Sequence, residues 1–271
     1  MTMNKKIFYA DMSWPEVKAA AQEKRVALLP VGSTEQHGPH LPTKTDALIA
    51  TRLSEETAKR IPDLALVMPT VGYGYNEHHL DLPATIHINH ETLIRFVIDI
   101  GKSLDHHGFE KIVIVNGHGS NIAPMEIAAR RITLESRRAL CASLDYLAIA
   151  PEIFDLLEGE EAHAGDQETS MMLYLSPETV DMTRAVRDWN FERSDFISYG
   201  VEPKGTTFKN AGGKVQFMDW WSRMSETGTM GDPTKASPEK GKKMFDICVE
   251  KLCLFVEEFQ SREIRERKDF H

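Results

Sequence analysis

Lys111-Ile-Val-Ile-Val-Asn116, running on into Gly117-His118-Gly119-Ser120-Asn121, decides the fold class. The segment is β-branched from Ile112 to Val115 and shows no polar alternation, so it is a strand buried on both faces that ends at Gly117. Helical spacing precedes it from about Asn89 to His107, with Asn89 and Glu91 as capping candidates, and follows it from Ala123 to Arg138. A further strand lies near Leu140 to Leu144. Continuous apolar strands separated by helices build a largely parallel sheet covered on both sides.

Further out, the same alternation recurs. Val26-Ala-Leu-Leu-Pro-Val-Gly32 is an apolar run closed by glycine, followed by a helical pattern from Asp46 to Arg60. Ala65-Leu-Val-Met-Pro-Thr-Val-Gly72 is a second such run. In the other direction, helical patterns include Gly165 to Leu175 and Lys240 to Phe259. Between them, Trp189 to Asp219 is rich in Gly, aromatic and polar residues without a period, the character of a long excursion placed to cover a site. A chain of 271 residues fits one α/β domain spanning residues 1–271.

Composition narrows the function. A 41% hydrophobic and 27% charged chain is ordinary for a globular protein, and no apolar run approaches the ~20 residues that span a bilayer. The N-terminal residues hold no signal-peptide core, so the expected location is the cytoplasm, with no membrane association. A net charge of −9 spread along the chain argues against a nucleic-acid partner, and Arg130-Arg131 and Arg137-Arg138 fall at helical spacing as solvated faces. Cys141, Cys248 and Cys253 form no CxxC pair and are expected as buried free thiols.

In open α/β sheets the ligand site lies at the carboxyl ends of the strands. Three loops there are rich in polar groups: Gly32-Ser-Thr-Glu35-Gln-His37-Gly-Pro-His40, with Asp46 beyond it; Gly72-Tyr-Gly-Tyr-Asn-Glu77-His78-His79-Leu-Asp81; and Asn116-Gly-His118-Gly-Ser-Asn121. Most of the eleven histidines fall in these loops or near His163-Ala-Gly-Asp-Gln-Glu168. Glu35 and His37, two apart in an extended loop, can point into one cavity. With Asp46 and His118 they form a mixed oxygen and nitrogen set that suits Zn, Mn or Fe(II) better than Ca. Singly, each has an ordinary structural explanation: Glu-x-His is common, His118 can simply end a strand, and Asp46 can offset a helix dipole. Their joint placement after successive strands favours a metal site.

The ordered set Gly32-Ser-Thr-Glu-Gln-His-Gly-Pro-His-Leu-Pro42, Thr45-Asp46, Asn116-Gly-His-Gly-Ser-Asn121, His163-Ala-Gly-Asp-Gln-Glu-Thr-Ser170, and Gly231-Asp-Pro233 with Ala236 and Glu239-Lys-Gly241 resembles the creatininase family across nearly the whole chain. The resemblance implies a three-layer α/β/α fold and a divalent transition-metal centre with two metals per chain. Glu35, Asp46 and His118 would hold one metal, and His37 with the bridging Asp46 the other. In the name-giving enzyme a glutamate two residues after the third-strand histidine completes the second site; here that position is Ser120, and Glu168 is the substitute candidate.

The implied reaction is metal-dependent hydrolysis, with an activated water attacking a carbonyl of a small polar substrate, a cyclic amide or a formamide. His163 would protonate the leaving group or, alternatively, orient a ligand, and Glu168 is a ligand or proton shuttle. Two other readings compete: a C–C bond hydrolase opening a cyclic diketone such as an oxidised inositol, and a non-catalytic metal or small-molecule binding protein. Retention of His163 and Glu168 favours an enzyme. The tryptophan that precedes the matching histidine in the name-giving enzyme is replaced here by Gly159-Glu-Glu-Ala162, which disfavours creatinine itself. The resemblance also implies a homo-oligomer, a hexamer.

Overall fold

The computed structural model describes residues 5–159, 161–192 and 218–271. Along the chain, α1 (Trp14–Gln22) leads into β1 (Val26–Val31), α2 (Thr45–Arg60), β2 (Ala65–Val67), α3 (His90–His106), β3 (Lys111–Asn116), α4 (Ile122–Glu135) and β4 (Leu140–Asp145). A single turn α5 (Tyr146–Ile149), β5 (Glu161–His163), α6 (Asp166–Leu175), α7 (Trp221–Met224), β6 (Met230–Gly231) and α8 (Pro238–Ser261) follow. The fold is α/β, as the sequence implies: a parallel sheet in the order β2-β1-β3-β4, with helices on both faces.

Alternation along each strand sorts the two layers. Val26 and Leu28 of β1, with Val113 and Val115 of β3, face Ile49 and Leu53 of α2 and Met244, Cys248 and Val249 of α8. Ala27, Leu29 and Val31, with Ile112 and Ile114, face Ala20 of α1, Leu93 and Val97 of α3, and Met125 and Ile132 of α4. Every residue of β1 and β3 is buried, which is why neither strand shows polar alternation. Asn89 caps α3 by accepting a hydrogen bond from Glu91 N at 2.9 Å.

β2 is much shorter than the apolar run from Ala65 to Gly72, and the reason lies on its neighbour. Met68 N donates to Leu28 O and Val71 N to Pro30 O, so Pro30 faces the β2 side, where it has no N–H to return. Continuous pairing stops at Val67 and returns only as an isolated bridge between Val31 and Val71. Similarly, α4 ends at Glu135 rather than Arg138: Arg137, Arg138 and Ala139 donate their backbone N–H groups to the Asp105 carboxylate instead. Of the thiols, Cys248 is buried, but Cys141 and Cys253 are only half-buried; all three are free.

The order β2-β1-β3 makes β1 and β3 the strands at which the winding direction reverses, so their carboxyl ends open a crevice. Two glycines let α2 close on that crevice. A Cβ on Gly32 would overlap the backbone of Ala47, and one on Gly117 would press on the Asp46 carbonyl. The expected excursion from Trp189 to Asp219 lies in large part, residues 193–217, outside the described residues. On its flanks Trp189 and Phe191 pack with Trp221, Met224 and Met230 in a separate small apolar cluster.

Candidate metal centre

The crevice gathers Glu35 and His37 from the loop after β1, Asp46 from the first turn of α2, His118 from the loop after β3, His163 from the end of β5, and Glu168 from the first turn of α6. Glu35, His37 and Asp46 are essentially inaccessible to solvent, and His118 and His163 nearly so. Asp46 is central. Its Oδ1 lies 3.0 Å from His37 Nε2 and its Oδ2 3.1 Å from His118 Nδ1. Glu35 Oε2 lies 3.3 Å from His118 Nε2, and Glu168 Oε1 3.6 Å from His37 Nε2.

Backbone carbonyls set the outer face of each ring. His37 Nδ1 lies 3.2 Å from Glu35 O, and His118 Nε2 3.0 Å from Tyr75 O. A carbonyl only accepts, so these nitrogens carry hydrogen, and once the rings are neutral the opposite ones turn lone pairs toward Asp46. Glu168 is aimed by an unusual backbone: Ala164 adopts φ 51°, and its N–H donates to Glu168 Oε2 at 2.6 Å, leaving Oε1 for the crevice.

The loops are bound to one another by asparagines. Asn121 donates to Gly32 O and accepts from Tyr75 N, each at 3.0 Å, tying all three crevice loops together. Asn76 is buried and donates its amide N–H groups to Ser33 Oγ and Ile86 O, which ties the Gly72–Asn76 loop to the residue that hydrogen-bonds Glu35. Ser120 bonds to His78 Nε2 at 3.1 Å.

Two buried carboxylate oxygens, Glu35 Oε1 and Asp46 Oδ2, make no hydrogen bond among the described residues. Such atoms are expensive to bury, and a cation among them removes the cost. Among the described residues, three groups have donor atoms within 4.8 Å of one another: Glu35, Asp46 and His118; His37, His163 and Glu168; and Glu35, His79 and His163. The donor chemistry fits a divalent transition metal.

The electrostatics agree. Burial alone would depress the His37 pKa, but the Asp46 and Glu168 carboxylates outweigh it and raise it well above the ordinary value. His118 behaves alike: burial is overcome by Glu35 and Asp46. Asp46 and Glu168 are lowered, burial being outweighed by the imidazoles. His163 is lowered by burial and then by His37, and His79 is held well below its usual value by burial and the surrounding imidazoles.

The fold therefore brings together Glu35, His37, Asp46, His118, His163 and Glu168, and it adds three neighbours outside that set. His79 is buried with its ring against His163; Gln36 contacts both; and Trp221, far along the chain, stacks on His79 with centroids 4.4 Å apart and planes at 25°. The adjacent Glu77-His78-His79 was the available signal for the first of these.

The family model for creatininase, described as creatinine amidohydrolase, matches residues 10–256. The mycofactocin precursor peptide peptidase of Mycobacterium ulcerans is 30% identical over 259 residues, 89% of this chain and 85% of that protein. The creatinine amidohydrolase of Pseudomonas putida is 29% identical over 267 residues, 92% and 95% respectively. The 3-dehydro-scyllo-inosose hydrolase of Thermotoga maritima is 26% identical over 273 residues, 94% and 84%. A mutant creatininase structure of Zn-Zn type superposes with TM-score 0.78 at 29% identity, covering 94% of this chain and 99% of that one. A manganese creatininase structure gives 0.75 at 29% identity with the same coverage.

Proposed function

The chain belongs to the creatininase family of hydrolases, and from that membership and the crevice geometry we propose that it is a two-metal amidohydrolase acting on a cyclic amide or formamide in a small polar molecule. One observation carries the reading: Glu35 Oε1 and Asp46 Oδ2 are buried among facing imidazoles without a hydrogen-bond partner among the described residues. Glu35, Asp46 and His118 would hold one cation; His37, Asp46 and Glu168 the other. When bound, such cations supply a water of lowered pKa and polarise a carbonyl oxygen.

The chain's residues supply the rest. His163 donates Nε2–H to Gln36 O at 2.8 Å, so its Nδ1 presents a lone pair to the crevice. That nitrogen accepts the proton lost by the attacking water and returns it to the departing nitrogen. Its pKa, depressed by burial, keeps it free to accept at neutral pH. Glu168 either completes the second cation's ligands in place of the missing carboxylate at Ser120 or, if it is no ligand, relays the proton. Ser120 itself is engaged by His78.

A second reading, hydrolysis of a C–C bond in a cyclic diketone, is supported by the similarity to the Thermotoga inosose hydrolase along 94% of this chain. It uses the same residues with a carbanion leaving in place of nitrogen. Metal analysis of the purified protein combined with a turnover screen of lactams, formamides and inososes tests both. Metal-replete protein inert towards all three classes would remove them. The reading extends to a homo-oligomer in the cytoplasm, the first part of which light scattering tests.

A further inference from the structure

Beside the cation ligands, His79 has a task still to be assigned. Its tautomer is set by Gln36, whose amide is fixed from two sides. Gln36 Oε1 accepts from Gly38 N–H at 2.9 Å, and Nε2 donates to Gly228 O at 3.2 Å. Reversing the amide would set donor against donor at Gly38 and acceptor against acceptor at Gly228. The remaining amide hydrogen reaches His79 Nδ1 at 2.9 Å. That nitrogen is therefore the acceptor, and the ring proton sits on Nε2. The 3.1 Å approach of Gln36 Nε2 to His163 Nε2 is then a proximity of two donors, because His163 Nε2–H is given to the Gln36 carbonyl.

The result is an asymmetric corner around Glu35 Oε1. His163 Nδ1, an acceptor, stands 3.7 Å from that oxygen, and His79 Nε2–H, a donor, stands 3.9 Å from it. At that length the His79 N–H makes no hydrogen bond to Glu35, and it makes none to another acceptor among the described residues. The ring is also locked. Trp221 stacks on it, and the Trp221 Nε1–H donates at 3.0 Å to Gly228 O, the carbonyl that holds Gln36. Gly228 has φ 86°, and a side chain there would overlap Gln36 Oε1, so the seat admits only glycine.

We infer that His79 Nε2–H is the hydrogen-bond donor to the substrate's carbonyl oxygen, where negative charge gathers as water adds, and that Gln36 is the positioning residue that keeps the hydrogen on Nε2. This rests on the hydrolytic reading above. It also argues against a cation in the Glu35, His79 and His163 group, because a ligand would need the Nε2 lone pair that Gln36 denies. A buried donor prealigned to a developing oxyanion acts without reorganisation, and loss of one such donor costs about 10²–10³ in kcat.

The tautomer is read directly by long-range proton–nitrogen correlation NMR on zinc-loaded protein labelled in its histidine nitrogens, with His79→Phe used for assignment. The expected signature is protonation at Nε2, and in cadmium-substituted protein no metal coupling to His79. Protonation at Nδ1, or a metal coupling, overturns the inference. Acetohydroxamate, which brings a carbonyl oxygen to the metals, is the binding probe: His79→Phe is expected to bind it about tenfold more weakly at unchanged metal content, and His79→Gln, which restores an N–H near the Nε2 position, to recover most of the loss. Equal binding by wild type and His79→Phe also overturns it. Should no carbonyl substrate be turned over by wild type, the hydrolytic reading fails, while the tautomer and the hydroxamate series still judge His79.

Discussion

Asp46 Oδ2 and His118 Nδ1 stand 3.1 Å apart in the buried crevice without the alignment of a hydrogen bond. With His118 Nε2–H committed to Tyr75 O, both facing atoms are electron-rich, and only a cation or a proton reconciles them. Asp46→Asn removes the charge together with one of the two carboxylate oxygens. It is expected to weaken metal binding by more than the ~10–100-fold typical of losing an outer partner, with the helical content intact by circular dichroism. Full metal retention after dialysis against a chelator would remove Asp46 from the ligand set.

Glu168 reaches the same crevice from α6, its Oε1 3.6 Å from His37 Nε2. Glu168→Gln preserves the acceptor for Ala164 N–H, so the fold should survive with a thermal midpoint within a few degrees of wild type. Loss of turnover with metal content falling from about two towards one per chain identifies a ligand; loss of turnover at full occupancy identifies a proton relay. Unchanged activity and unchanged metal reject both roles.

Creatinine is expected to be a poor substrate. The segment ahead of His163 supplies Glu161 and Ala162 in place of a ring-enclosing tryptophan, and the indole nearest the site, Trp221, is already stacked on His79 and tied to Gly228 O. Creatinine hydrolysis with kcat/KM at or above the ~10⁴ M⁻¹s⁻¹ of an ordinary enzyme would refute this.

Local pattern carried the layers and the loop-borne residues that meet in the crevice, because β1 and β3 are buried on both faces and therefore purely apolar, and because polar clusters directly follow them. Non-local constraints were invisible. Pro30, on another strand, withholds an N–H that β2 would need beyond Val67, and Trp221 meets His79 only through the fold. His78 and His79 look alike in sequence, yet one turns to Ser120 and the other to Gln36, a choice made by packing around a single 3₁₀ turn.

The late motif Glu239-Lys-Gly241 turns out to serve packing. A Cβ on Gly241 would overlap Ser170 O in α6, Lys240 Nζ meets the buried Asp166 carboxylate at 2.6 Å, and Ser237 N donates to Ser170 Oγ at 3.1 Å. Gly241→Ala is expected to cost about 2–3 kcal/mol by overpacking. For a chain of this size that lowers the thermal midpoint by ~5–10 °C. Because α6 carries Glu168, metal affinity should fall as well. A midpoint within about 1 °C of wild type would mean that α8 shifts freely, contrary to the tight packing on which the prediction rests.

The last expectation concerns pH and follows from the imidazoles beside Asp46. Burial pulls the His37 and His118 pKa values down, but the adjoining carboxylates outweigh it, so both are raised in the folded chain. Without a cation, their contribution to stability is therefore fully present below about pH 6.5, the unfolded value, and is lost as pH rises through the elevated folded values. Asp46 and Glu168 are shifted the other way and stay ionised through this window. A divalent cation takes the place of the imidazole protons, so its binding releases them and strengthens with pH. The increase is up to about 1.4 kcal/mol per pH unit for each imidazole that must lose its proton. The gain in thermal midpoint on adding zinc should thus be small near pH 6 and grow steadily towards pH 8.5. Differential scanning calorimetry of chelator-treated and zinc-loaded protein across that range measures it, and a zinc increment independent of pH would show that neither His37 nor His118 exchanges a proton for metal.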